Sequence, residues 1–176
     1  FDSDQEVHRL YTAEAVPLIE QAFPGTTNGR GVDRELLSKA AMADPNSFKR
    51  LEAIVHPLVR AAQKRFLDKV FSDSASLAVL EIPLLYETDG DKLVDVTVVV
   101  SAPADVQRRR VLARPGMTPE KLDAMLARQM PDADKCRRAD FVVDTGGTLD
   151  DTQRQIMSIV VELRTRRGEA YQRIWA

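Results

Sequence analysis

The chain is poor in the residues that bring ready-made chemistry. It has one cysteine, Cys136, and two histidines, His8 and His56. A single cysteine excludes an internal disulfide and a cysteine-built zinc site, and it fits a reducing compartment. Two histidines exclude a multi-histidine metal centre. Long apolar runs are missing as well. The longest, such as "LAVL" and "VTVVV", fall far short of the roughly 20 residues of a membrane helix. Charge of one sign does not dominate: 25 Lys and Arg against 27 Asp and Glu leave a net charge of −2. That gives no electrostatic footprint for nucleic acid or an anionic membrane. No signal peptide, internal repeat or low-complexity linker is visible, and the chain opens without a methionine. Finally, no string of the form G-x-x-x-x-G-K-[ST] occurs, so the chain carries no glycine-rich phosphate cradle of that kind. The glycine pairs are "GRG" and "TGGT"; the second lacks the lysine and reads as a turn.

What is present is the composition of a soluble globular domain: 176 residues, 44% hydrophobic and 30% charged. "SDQEVHRLY" reads as a helix start, with Ser3 and Glu6 at capping-box spacing. "TAEAVPLIEQAF" continues as helix with Pro17 near its first turn, and "PGTTNGRG" ends it as a loop. "DRELLSKAAMA" is a short helix capped by Asp33. "NSFKRLEAIVHPLVRAAQKRFLDKVF" shows helical periodicity through Phe48, Leu51, Ile54, Val55, Leu58 and Val59, with Pro57 expected to bend or restart it. The first third is therefore expected to be all helix. Then the pattern changes. "LAVLEIPLL", "VDVTVVVSA" and "DFVVDTGG" are apolar strands, which implies a parallel sheet covered on both faces. Polar helices separate the last two, and one tail helix runs from Thr148 to Trp175. The expected class is α/β, a sheet core with helical excursions near 8–72 and 106–137, leaving from the loops where such folds bind ligands.

Four constellations could carry chemistry. Asp2-Ser3-Asp4 is either a strand end followed by a helix cap or a carboxylate at a sheet edge, able to accept a substrate proton or help organise a metal ion. The D-x-D nucleophile of haloacid-dehalogenase-like phosphatases is a rival, but Glu6 breaks that pattern at its last position. "EIPLLYE" is either a strand-ending loop with solvated acids or a loop shaping an acceptor pocket. His56 sits on a mostly apolar helical face, where a lone histidine is more often a packing residue than a ligand. Arg108, Arg109, Arg110, Arg114, Arg128, Arg137 and Arg138 form either a solvated face of i,i+4 pairs or an arginine-bearing flap suited to phosphate.

Taken in order, "FDSDQEVHRLY", "GRGVDRELL", "RLEAIVHPLV", "EIPLLYE", "DVQRRRVLARPGMTPEKLDAMLARQMP" and "KCRRADFVVDTGG" resemble the dephospho-coenzyme A kinases over nearly the whole chain. The resemblance implies a P-loop NTPase-type three-layer parallel sheet with a helical acceptor-binding subdomain and a helical lid. It implies a nucleotide-binding core of 1–7, 73–105 and 138–176, an acceptor subdomain of 8–72 and a lid of 106–137. The implied reaction is transfer of the γ-phosphoryl of ATP to the ribose 3′-hydroxyl of dephospho-coenzyme A, with Mg2+. By position, Asp4 becomes the general base and Arg114 the catalytic lid arginine. His8, Arg34, His56, Glu81, Leu84 and Glu87 fall on acceptor-binding positions, and Arg110, Arg114 and Arg138 on ATP-binding ones, with Arg138 near the adenine. Gln107 and Gln129 match the lid, Pro83 and Leu85 the P-L-L-x-E loop, and Ala139 and Asp140 the R-A-D that opens the last strand. Glu81 stands where Asp is more usual and Thr145 where Asn is.

The large departure is at the front, where the family carries a strand, a P-loop and a first helix. That strand lies mid-sheet, and its loss would leave unpaired backbone groups at about 1–3 kcal/mol each. The native protein is therefore expected to be longer, with no metal ligand in this chain beyond a contribution from Asp4, and magnesium held by a Ser or Thr of the absent loop. A cytoplasmic monomer is expected, with no nucleic-acid or membrane partner. Two alternatives stand beside this: another P-loop kinase of small metabolites or nucleotides, and a non-catalytic coenzyme A-binding remnant.

Overall fold

The computed structural model describes residues 1–42, 44 and 46–176. They fall into two compact units, Phe1–Pro83 and Leu84–Ala176.

In the first unit, α1 (Ser3–Leu10) begins at Asp2, whose extended backbone and side chain make the cap: its Oδ1 accepts from the Gln5 N–H at 2.9 Å. The Ser3–Glu6 capping box does not form. Ser3 is already helical and its hydroxyl donates to the Glu81 carbonyl at 2.6 Å, while Glu6 pairs with Arg9 at 2.8 Å. α2 (Ala15–Ala22) carries Pro17 in its first turn, where a missing N–H breaks no helical bond. The stretch expected as loop contains a minimal antiparallel hairpin, β1 (Thr27–Asn28) with β2 (Gly31–Val32), so the first third is not all helix. Glu20 folds the hairpin back onto α2, accepting from the Gly25 N–H at 2.8 Å and the Thr27 hydroxyl at 2.6 Å. Gly31 sits at φ +123°, and a Cβ there would lie 2.3 Å from the Tyr11 carbonyl oxygen.

α3 (Arg34–Met42) is capped by Asp33, whose Oδ1 accepts from the Glu35 and Leu36 N–H groups, both at 3.0 Å. The last residue expected in this helix, Ala43, lies outside the described residues. α4 (Ser47–Ser72) is a single helix of 26 residues, so Pro57 does not restart it. Pro57 leaves the Ala53 carbonyl without its helical donor, and Ala53, His56 and Pro57 are all exposed, so the gap falls where water can satisfy it. The apolar face of α4 covers the core of Leu10, Ala15, Ile19, Phe23 and Leu37 through Leu51, Ile54, Leu58 and Val59. Full burial of a large apolar side chain, as at Leu10, Ile19, Phe23 and Leu37, contributes about 1.5–3 kcal/mol. The unit's chain ends meet: the Phe1 amino group donates to the Val79 carbonyl at 2.8 Å, and the Glu81 N–H to the Phe1 carbonyl at 2.9 Å. "LAVLEIPLL" thus supplies one parallel bridge, Asp2 to Glu81, rather than a full strand.

In the second unit a 3-10 turn (Gly90–Leu93) precedes β3 (Val98–Ser101), which pairs in parallel with β4 (Phe141–Asp144). A parallel pair needs a crossover, here α5 (Ala104–Leu112), α6 (Pro119–Leu126) and α7 (Asp132–Arg138). The register is fixed at its start by Asp140, which accepts from the Thr97 N–H at 2.8 Å and from the Thr97 hydroxyl at 2.9 Å. Val99 and its register partner Val142 share one face of the pair, Val100 and its partner Val143 the other, and each face has one buried valine, Val99 and Val143. α8 (Leu149–Leu163) opens with a capping box of Thr148 and Asp151 and packs on β4. The expected single tail helix stops at Leu163, before "RTRRG". A separate π-helical turn, Tyr171–Trp175, follows, held by the Trp175 indole N–H on the Leu93 carbonyl at 2.8 Å and by Asp95, which accepts from the Glu169 and Ala170 N–H groups at 2.7 Å.

Candidate active site

In the first unit, the candidates gather around α1. Asp4 lies in its first turn, one residue from the Ser3 N–H that meets the Glu81 carbonyl at 3.3 Å. The Asp4 side chain is exposed, and its carboxylate makes no hydrogen bond or ion pair with the described residues. One turn on, His8 bridges two elements. Its Nδ1 donates to the Asp4 carbonyl at 2.7 Å, and its Nε2 accepts from Arg34 Nη1 at 2.6 Å. Both bonds are satisfied together only by the neutral ring protonated at Nδ1. Arg34, the first residue of α3, is thereby tied to the helix that carries Asp4. His56 is exposed on α4 beside the Pro57 gap, and the Glu81 side chain is also exposed.

In the second unit, Glu87 is largely buried, and one carboxylate oxygen takes two donors: the Met130 N–H at 2.7 Å and the Lys135 ammonium at 3.0 Å. Burial pushes the Glu87 carboxyl up, but the Met130 N–H and Lys135 outweigh it and hold it below the ordinary glutamate range. Arg138 donates to Asp91 at 2.6 Å, and its guanidinium lies 4.5 Å from the centroid of the Tyr86 ring. Arg110 grips the turn after β4, donating to the Thr145 carbonyl at 2.8 Å and its hydroxyl at 3.2 Å. The Thr145 hydroxyl in turn donates to the Ser101 carbonyl at 2.9 Å. The threonine thus ties β3, β4 and α5 together at the carboxyl edge of the strands. Arg114 follows α5 and is exposed, with no side-chain hydrogen bond to the described residues. Leu84 is 39% exposed.

The structure therefore joins Asp4, His8 and Arg34 in one unit. In the other it ties Arg110 to Thr145, Glu87 to Lys135, and Arg138 to Asp91. It gives His56 and Arg114 no such partner among the described residues. Sequence reasoning missed Lys135, Asp91 and Tyr86. Their only signal was spacing: Glu87 and Asp91 are four apart, and Lys135 and Arg138 three apart on a short helix. An open depression of about 480 Å³ lies elsewhere, lined by Phe1, Glu6, Arg9, Glu14, Ala62 and Arg65, and includes none of the candidates. Among the described residues no group of three or more His, Cys, Asp or Glu could hold a metal ion. No helix among them is long and apolar enough to cross a membrane.

Comparison with known proteins bears on these positions. The family model described as Dephospho-CoA kinase matches residues 2–151. The Dephospho-CoA kinase of Rhodopseudomonas palustris (strain ATCC BAA-98 / CGA009) is 58% identical over 160 residues, covering 91% of this chain and 80% of the relative. That of Brucella melitensis is 54% identical over 163 residues, covering 93% and 82%. A crystal structure from Thermus thermophilus superposes with a TM-score of 0.73 at 34% identity, over 93% of this chain and 83% of the other. The Dephospho-CoA kinase from Campylobacter jejuni, at 21% identity and TM-score 0.65, shares the fold over 93% of this chain and 84% of its own. The mixed α/β architecture with parallel strands is that of P-loop kinases of this type. The chain belongs to the dephospho-CoA kinase family, whose members carry out the last step of coenzyme A biosynthesis.

Proposed function

We propose that the protein transfers the γ-phosphoryl of ATP to the ribose 3′-hydroxyl of dephospho-coenzyme A, with Asp4 as general base. The observation that carries the assignment is the state of Asp4: an exposed carboxylate, unpaired among the described residues, in the first turn of α1 beside the Asp2–Glu81 bridge. A carboxylate already committed to an ion pair would be a poorer acceptor. As the 3′-oxygen bonds to phosphorus and the bond to the β–γ bridging oxygen breaks, the hydroxyl proton passes to Asp4. The transition state of phosphoryl transfer is loose, so orientation and charge balance outweigh base strength. His8 supports Asp4 through the carbonyl it caps and holds Arg34 available for the acceptor's anionic groups, with His56, Glu81, Leu84 and Glu87 completing acceptor recognition. Arg110, Arg114 and Arg138 serve ATP, Arg114 balancing charge on the moving phosphoryl.

In this reading residues 1–7, 73–105 and 138–176 form the nucleotide core, 8–72 the acceptor subdomain and 106–137 the lid. Magnesium would accompany the nucleotide and screen its phosphates. The donor set described here does not form a metal site by itself, so Asp4 would contribute at most one ligand, and no step is routed through the ion. The enzyme works as a cytoplasmic monomer. The test is Asp4→Asn in the full-length enzyme, by coupled release of ADP with dephospho-coenzyme A as acceptor. Loss of a general base lowers kcat by about 10²–10⁴-fold with smaller changes in either KM. Near-normal turnover removes Asp4 from the chemistry.

A further inference from the structure

Among the described residues, most ion pairs join residues three or four apart in sequence and are exposed, where they contribute little. Lys135–Glu87 and Arg138–Asp91 differ in kind. Both link α7 to the segment Leu84–Leu93, more than forty residues away in sequence. In the first pair the side chains are only 17% and 16% exposed; in the second, Asp91 is 19% exposed. Lys135 and Arg138 share one face of α7, and Glu87 and Asp91 are spaced to meet them. One oxygen of each carboxylate, Glu87 Oε2 and Asp91 Oδ1, is buried with no donor, so the paired cation bears much of the cost of burying each charge.

The consequence for Arg138 is geometric. Asp91 takes one Nη2 hydrogen while the Tyr86 ring lies against the guanidinium, so the plane of the group is defined by two contacts. Its other N–H groups make no hydrogen bond to the described residues and are available to a ligand. A helix of 7 residues has little intrinsic hold on its own orientation. The start of α7 is tied to β3, where the Ser101 hydroxyl donates to Asp132 at 2.6 Å, and the two pins a turn apart hold the rest of the helix against rolling.

We infer that Lys135 and Asp91 are positioning residues, acting through Glu87 and Arg138 to lock α7 against the Leu84–Leu93 segment and so fix the plane of Arg138 for the nucleotide. The inference rests on the reading of Arg138 as an ATP-binding residue. Steady-state kinetics of the full-length enzyme, with ATP and dephospho-coenzyme A varied separately, test both. Arg138→Ala raises KM for ATP by about tenfold or more. Asp91→Asn and Lys135→Met each raise KM for ATP about threefold with kcat within about twofold, and Asp91→Asn leaves the acceptor KM within about twofold as well. Because either pin partly covers for the other, the double variant raises KM for ATP by more than the product of the singles. Lys135→Arg, which keeps the charge, restores the wild-type value. If the single variants lower Tm but leave KM for ATP unchanged, or if the double equals the product, the inference is overturned while the reading of Arg138 stands. If Arg138→Ala leaves KM for ATP unchanged, both fall together.

Discussion

Gly31→Ala isolates how the Thr27–Val32 hairpin is held. Gly31 opens β2 at φ +123°, a conformation nearly reserved for glycine. An added Cβ would sit 2.3 Å from the Tyr11 oxygen and 3.0 Å from the Thr12 Cα, both backbone atoms that cannot rotate aside. The same Tyr11 carbonyl accepts from the Val32 N–H at 2.8 Å, so relieving the clash breaks that bond. A non-glycine residue in so sparsely populated a region costs about 1–3 kcal/mol, and the lost hydrogen bond about 1 kcal/mol. A destabilisation of about 3 kcal/mol is therefore expected, in the range of the larger single-residue effects. Gly29 is the control: it lies in the same turn, and a Cβ there meets nothing within 4 Å. Gly29→Ala is expected to change stability by less than about 0.5 kcal/mol. The assay is native-state amide exchange of Leu10–Phe23, which reports on the first unit directly; a global melt would mix two units that need not unfold together. Because Asp33 donates its N–H to the Thr26 carbonyl at 2.8 Å, opening the hairpin also loosens Arg34, and KM for the acceptor should rise. A Gly31→Ala loss below about 1 kcal/mol, or equal losses for the two variants, would refute the reasoning.

Three further outcomes are expected. Arg114→Ala lowers kcat by about 10-fold or more with ATP affinity little changed, since its side chain packs in no structural pair; a pure rise in KM for ATP would make it a binding residue instead. Glu87, whose carboxyl is held below its ordinary range, contributes stability that is fully present above the unfolded value of about 4.3 and is lost as pH falls through the lower native value. Urea titrations should accordingly show a steeper acid loss in wild type than in Glu87→Gln, and parallel curves would discount the ion pair. Thr148→Ala removes the α8 capping box, in which the hydroxyl donates to Asp151 Oδ2 at 2.6 Å, and should cost about 1 kcal/mol by denaturant unfolding.

Where the fold was legible in sequence, the cause is local. The valine runs that become β3 and β4 have nothing but backbone pairing and burial to satisfy, and Asp33 caps α3 using N–H groups two and three residues away. Where it was not legible, a distant partner decided. Ser3 looked like half of a capping box until its hydroxyl was taken by a carbonyl 78 residues on. Pro57 looked like a break, but an apolar face running from Leu51 to Leu67 holds α4 through it. The hairpin at Thr27–Val32 is too short to show any period. The site divides the same way. Asp4, His8 and Arg34 stand in recognisable motifs, and the structure ties His8 to the other two. Lys135, Asp91 and Tyr86 carry no motif of their own, because their roles exist only once α7 has docked on a segment far away in sequence.

The pairing of Phe1 and Ser3 with Val79 and Glu81 has a consequence for how this architecture can vary. The chain leaves that bridge into α1 and returns to it after α4, so everything between is a closed excursion whose two ends are already side by side. Doubling the length of such an excursion costs only about 0.6 kcal/mol of closure entropy. The helices between are thus a replaceable cassette on a fixed mount. Related chains could lengthen, shorten or exchange the cassette while keeping the start of α1 at the point where it is attached.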